Sequence, residues 1–196
     1  MIKMNAVHSE KENPGADSSK KIRYRRGTMK QIYYCLICGF MFFASLFQPA
    51  RAEEKAMPED IIKKIREASE FLSRTKEAGL ETFNERKGRW VFKDTYIFVF
   101  DCDKGRIIAH PINPKLIGKN LMGLKDFKGN YFFAQLCAVS HSNQGGWVEY
   151  WWPKVDEDKL YRKISLMVQV PGTSYQVGGG IYDEAMSVRD LEKLLK

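Results

Sequence analysis

Histidine and cysteine are scarce in this chain, three and four among 196 residues. No CxxCH run occurs, which excludes covalent haem, and neither His110 nor His141 has a cysteine or an acid at ligand spacing, so no zinc site is expected. Also missing are a GxSxG nucleophile elbow and any conspicuous pair of carboxylates. Gly118-Lys119-Asn120 lacks the upstream glycine and the following Ser/Thr of a phosphate loop. Asp101-Cys102-Asp103-Lys104-Gly105 opens like a calcium loop, but its glycine stands one place too early and no bidentate acid follows. A hairpin turn is expected there. These absences point to a protein that is not an enzyme and holds no metal or cofactor. Nor does any internal repeat or second domain appear.

The charge is unevenly shared. The chain carries a net +8, with nine Lys/Arg against three Asp/Glu in residues 1–52 and twenty-three against twenty-one in 53–196. The part expected to fold is therefore only about +2, and a nucleic-acid partner loses its electrostatic support.

The basic excess precedes an apolar run, Ile32 to Phe47, which is followed by Ala50-Arg51-Ala52. Lys30, sixteen uncharged residues and a small-x-small site form a secretory signal, residues 29–52, cut before Glu53. The run is short for a membrane anchor, which needs ~20 residues. Residues 1–28 are polar and are read as a disordered leader or a misplaced start. A periplasmic location follows from the signal. Cys35 and Cys38 would leave with it, and the remaining pair, Cys102 and Cys137, is either a disulfide or two separate buried thiols.

In residues 53–196, Ile61, Ile62, Ile65, Ala68, Phe71, Leu72, Ala78 and Leu80 recur at helical spacing and predict a long amphipathic helix from Pro58 to about Phe83. Two short strands, Tyr96–Phe100 and Arg106–His110, flank an Asp/Gly turn. An irregular stretch with Pro111, Pro114, Gly118, Gly123 and Gly129 leads to a helix over 131–142. Three further strands are "GWVEYWW", "KISLMVQV" and "SYQVGGGIY", the last two joined by a Pro-Gly turn, and 183–196 forms a short helix. Five strands in hairpin-linked groups predict an α+β domain on an antiparallel sheet.

Trp147, Tyr150, Trp151 and Trp152 fall within six residues. Strand alternation puts Trp147, Glu149 and Trp151 on one face and Val148, Tyr150 and Trp152 on the other. Plain core packing accounts for this as well as a pocket does. A pocket would have apolar walls with polar heads drawn from Tyr96, His110, Tyr150, Lys163 and Tyr175, a set suited to a small carboxylate.

"TYIFVFDCDKGRIIAHPINPKLIGKNLMGLKDFKGNYF", "GGWVEYWWP" and "VPGTSYQVGGGIY", in this order after a long helix, resemble the single Cache domain of type two, an extracytoplasmic sensor domain with a PAS-like fold. The resemblance covers about residues 56–183. It implies a five-stranded antiparallel sheet with a long N-terminal helix and flanking helices, and a pocket between the sheet and segment 111–142. His110, Trp147, Tyr150 and Lys163 become candidate ligand contacts, with Tyr96, Tyr131 and Trp152 behind them. The partner implied is a small organic acid, its charge compensated by His110 and Lys163. The chain stops fourteen residues after Tyr182 with no output module, which resembles the free-standing secreted form. The alternative is an interaction module that dimerises or docks on a membrane receptor.

Overall fold

Ile61, Ile62, Ile65, Ala68 and Leu72 form one buried stripe along helix α1 (Pro58–Thr75). Its N-terminus is closed by Asp60, whose carboxylate accepts the Met57 amide at 2.9 Å. The structure, a computed structural model, describes residues 54–196. The leader and signal peptide read from the sequence lie outside the described residues.

The predicted single helix to Phe83 stops early. At Lys76 the chain turns to positive φ (52°) and continues as a 3-10 helix, Lys76–Asn84. A Cβ on Gly79 would lie 2.1 Å from Thr75 Oγ1, so only glycine lets that tightened turn pack on the last turn of α1. The irregular pitch brings Phe83 flat against Trp90, ring centroids 4.5 Å apart, to close one end of the core.

Strands β1 (Val91–Phe92), β2 (Thr95–Asp101), β3 (Arg106–Ala109), β4 (Gly146–Pro153), β5 (Leu160–Gln169) and β6 (Tyr175–Tyr182) form one antiparallel sheet. Its order is β1-β2-β6-β5-β4, with β3 also paired to β2. The expected five strands are present, and β1 is the sixth; two residues are too few to leave a periodic pattern. Helix α2 (Phe132–Ser140) follows the irregular segment after β3, and α3 (Val188–Lys193) follows β6. The β5–β6 turn has Gly172 at φ +68°, the conformation its Pro-Gly sequence predicts.

The sheet separates two cores. On one face α1 packs against Ile97, Val99, Trp147, Ile164, Leu166, Val177 and Ile181. On the other, α2 and the segment before it cover Tyr96, Phe98, Phe100, Val148, Tyr150 and Met167. Cys102, just past β2, is bonded to Cys137 of α2, which fastens the covering helix to the sheet. The second core is the one beside which a lysine and a histidine, Lys163 and His110, are buried.

β4 is an edge strand, and its free side is not left bare. The Trp147 amide donates to the Glu192 carboxylate of α3 at 2.9 Å, and the Trp151 amide to Asp126. Among the described residues no helix is long and apolar enough to cross a membrane.

Candidate ligand-binding face

Period-2 alternation in β5 sends Lys163, Ser165 and Met167 to the α2 side of the sheet, while Ile164 and Leu166 face α1. Lys163 stands directly between Tyr150 of β4 and Tyr182 of β6 in the strand register. Its side chain is fully buried. The ammonium nitrogen lies 4.1 Å from the centre of the Tyr96 ring and 4.9 Å from that of Tyr182. It has no hydrogen-bond partner among the described residues.

Ring faces are a weak substitute for water around an ammonium ion. Burial therefore drives the Lys163 pKa from its ordinary value down to about 7, with the charge of Asp94 pulling it partly back. Lysines are almost never fully buried without a partner, because the unpaired charge costs several kcal/mol. The strands could have placed an apolar residue here; they place an amine capable of three hydrogen bonds that makes none.

The hydroxyls around it are arranged in pairs. Tyr150 Oη and Ser165 Oγ are 2.9 Å apart, Trp152 Nε1 donates to Tyr96 Oη at 2.9 Å, and Tyr182 Oη donates to the Pro153 carbonyl at 2.6 Å. Burial pushes the Tyr96, Tyr150 and Tyr182 phenols up, so all three remain protonated donors. Phe132 of α2 lies parallel to Tyr150 with centroids 4.4 Å apart. Glycines keep the floor flat: a Cβ on Gly178 would sit 2.4 Å from the Phe98 ring, and one on Gly180 2.3 Å from Ser165 Oγ.

The strand expected to run through His110 ends one residue earlier, at Ala109; His110 follows it and is buried, its ring 4.8 Å from that of Tyr96. Its charge is another matter. His110 Nδ1 accepts from the amides of Ile112 at 3.2 Å and Asn113 at 2.9 Å, so the ring proton resides on Nε2. Burial, with Lys163 nearby, lowers its pKa to about 3. The ring is neutral at physiological pH and does not provide the second positive charge expected from the sequence. What it provides is the loop itself: "HPIN" is turned back onto the imidazole, and Tyr96, His110, Asn113, Trp152, Arg86 and Asp156 line a cavity of about 300 Å³. Arg86 and Asp156 form an ion pair across its mouth.

Of the sequence candidates, His110, Tyr150, Lys163, Tyr96 and Trp152 meet on this face. Trp147 does not: it belongs to the core beneath α1, one residue out of step with the pocket side of β4. Tyr175 also faces α1, where its hydroxyl donates to Glu77 at 3.1 Å. Tyr131 lies just before α2 and is 46 % exposed under Lys125. Tyr182 and Ser165 were missed, although the alternation that places Lys163 inward also places Ser165 inward. A larger groove of about 690 Å³ runs between α1, β5 and the C-terminal residues, but no buried unpaired charge faces it.

A family model described as Cache domain matches residues 60–187. Residues of this chain are 29% identical over 89 positions to the methyl-accepting chemotaxis protein McpP of Pseudomonas putida, a match covering 45% of this chain and 16% of that receptor. The chain thus spans about one-sixth of that relative's length. The periplasmic sensor domain of a chemotaxis protein superposes with a TM-score of 0.54 at 26% identity, over 69% of this chain and 99% of that one. A Cache chemosensory domain solved for its carboxylic acid recognition gives a TM-score of 0.48 at 23% identity, over 79% and 98%. Such domains in chemotaxis receptors are periplasmic sensors and not enzymes. With the matched model spanning α1 to β6 and the α+β sheet it requires, the chain belongs to the Cache domain family of extracytoplasmic sensor domains.

Proposed function

We propose that this protein is an extracytoplasmic binding domain for a small organic acid, and that the ligand's carboxylate is held by Lys163. The observation that carries the reading is the fully buried Lys163 amine without a hydrogen-bond partner. A carboxylate beside it would replace the missing water with charge-assisted hydrogen bonds, and the ion pair would be neutral in its low-dielectric surroundings. The Tyr96 hydroxyl, which accepts from Trp152 and keeps its own proton, and the Tyr150 hydroxyl supply further donors, and neutral His110 offers Nε2–H. The aromatic walls favour a short apolar tail, and one cation without a second favours a monocarboxylate.

The same protein would be exported and periplasmic, and would pass its signal to a partner. A thermal-shift screen against acetate, propionate, lactate, pyruvate, succinate and amino acids tests the ligand. Binding to the folded state alone raises stability by ~2.7 kcal/mol at one hundred times the dissociation constant. A shift seen with the native protein and lost in Lys163→Met supports the site. A flat screen across all of these acids turns the assignment toward a protein-interaction module.

A further inference from the structure

The segment between β3 and α2 has a second, outward side. Residues 115–131 hold Lys115, Lys119, Lys125 and Lys128 against the single acid Asp126, a net +3, while 53–196 as a whole is about +2. The remainder of the domain is thus slightly negative, and its positive excess is gathered in one covering segment. All four lysines are exposed.

Apolar groups accompany them. Phe127 is 63 % exposed and Tyr131 46 %. Phe127 meets the edge of Trp151 with centroids 5.1 Å apart, Lys128 Nζ lies 3.4 Å above the Trp151 ring, and Lys125 Nζ 4.6 Å from that of Tyr131. The loop is held in shape: the Asp126 carboxylate accepts the amides of Lys128 and Asn130, both at 2.9 Å. This patch borders none of the cavities described above.

We propose that Lys125, Phe127, Lys128, Tyr131 and Trp151 dock this domain on an anionic phospholipid bilayer. The combination fits an interface and not a protein groove. Phe127 and Tyr131 protrude, as side chains that settle at headgroup depth do, with half-buried Trp151 behind them, and the ammonium groups beside them would meet phosphates. A polybasic segment is attracted by the negative surface of such a membrane, each lysine adding to the attraction. Charge complementarity favours this face over the others, since the segment is net +3 while the remainder of 53–196 is about −1. The occupant assigned is the lipid surface and not an acidic protein, because the patch offers exposed rings without a concave pocket to read a sequence.

The test uses the full chain with vesicles of phosphatidylcholine alone or mixed with phosphatidylglycerol, and an amine-acetylating reagent read by mass spectrometry. Residues 1–52 are themselves basic and bring the full chain to anionic vesicles, so the readout is the protection of Lys125 and Lys128 relative to Lys76 and Lys193. Lys125 and Lys128 should be protected with phosphatidylglycerol and not with phosphatidylcholine, while Lys76 and Lys193 react equally in both. Lys125→Gln should lower the protection of Lys128 about fivefold, and high salt should abolish it. Phe127→Glu, which leaves every lysine in place, should abolish it at low salt. Equal reactivity in the two vesicle types overturns the proposal, as does protection that Phe127→Glu leaves unchanged. Protection by an acidic protein but not by phosphatidylglycerol also overturns it and assigns the surface to a protein partner.

Discussion

Phe132 lies on Tyr150 with the two rings 7° from parallel, so that the helix covering the sheet and the hydroxyl facing Ser165 are parts of one stack. Phe132 is 1 % exposed and also contacts Phe133 and Trp152. Removing it opens a cavity directly over the proposed ligand. Phe132→Ala is expected to cost about 3–5 kcal/mol by chemical denaturation. Ligand-induced thermal shifts should weaken with it, whereas Phe71→Ala on the α1 side should lower stability and leave the ligand response intact.

Lys163 gives the protein a pH dependence with a definite sign. Its folded pKa of about 7 is below its ordinary value of 10.5, so in that interval the unfolded chain binds the extra proton. Stability of the ligand-free protein should therefore rise with pH, by about 1.4 kcal/mol per unit between pH 7 and 9. Lys163→Met should remove this slope and leave the protein at least as stable at pH 7. Carboxylate binding has the opposite trend, since it needs the ammonium form; affinity should fall toward tenfold per unit above pH 7. Urea titrations and calorimetry across that range check both.

His110 acts at the acid end. Its pKa is lowered from 6.5 to about 3, so protonating it in the folded state is unfavourable, and stability is lost as pH falls from about 6.5 toward 3. His110→Gln, which cannot take up that proton, should flatten the fall in acid denaturation curves. An unchanged acid limb in the variant would refute the assignment of Nδ1 as a permanent acceptor.

These charges show where the sequence was and was not legible. The amphipathic stripe of α1 as far as Leu72, the hairpins and the Pro-Gly turn are local patterns and form where period or turn chemistry predicts them, whereas the break at Lys76 interrupts a helical spacing that continues through Ala78 and Leu80. Trp147 was placed with Tyr150 as a ligand contact even though alternation puts the two on opposite faces. Alternation tells which residues travel together, but only the packing of α1 and α2 tells which face is which. The unpaired state of Lys163 and the neutral ring of His110 depend on strand register and a backbone turn, and no spacing in the sequence encodes them.

The bond between Cys102 and Cys137 closes the covering segment into a loop anchored at both ends. Replacing both cysteines by serine should lower stability by about 2–4 kcal/mol. Because the bond spans the whole segment between β2 and α2, the variant should also show faster hydrogen exchange in 111–140 than in β5 and β6.

Gly180 leaves no room for a side chain beside Ser165 on the sheet. A Cβ there would lie 2.4 Å from the Ile164 carbonyl oxygen, an atom of the backbone that cannot rotate away. Gly180→Ala should cost about 3 kcal/mol. Gly118→Ala, with open space around it but φ at +79°, should cost only its backbone strain, about 1 kcal/mol. Thermal unfolding of the two variants separates the effects.

Glu192 and Asp126 each occupy an amide on the outer side of β4. A strand from another molecule approaching this edge would have to expel two carboxylates from bonds already made and bring its own carbonyl oxygens against them. Growth of the sheet from one molecule into the next is therefore disfavoured along β4, and contacts made on that flank must be side chain to surface. Whatever reads the state of this domain from that side reads the positions of rings and charges, which can shift when a ligand binds, and not a backbone ladder, which would hold the sheet fixed.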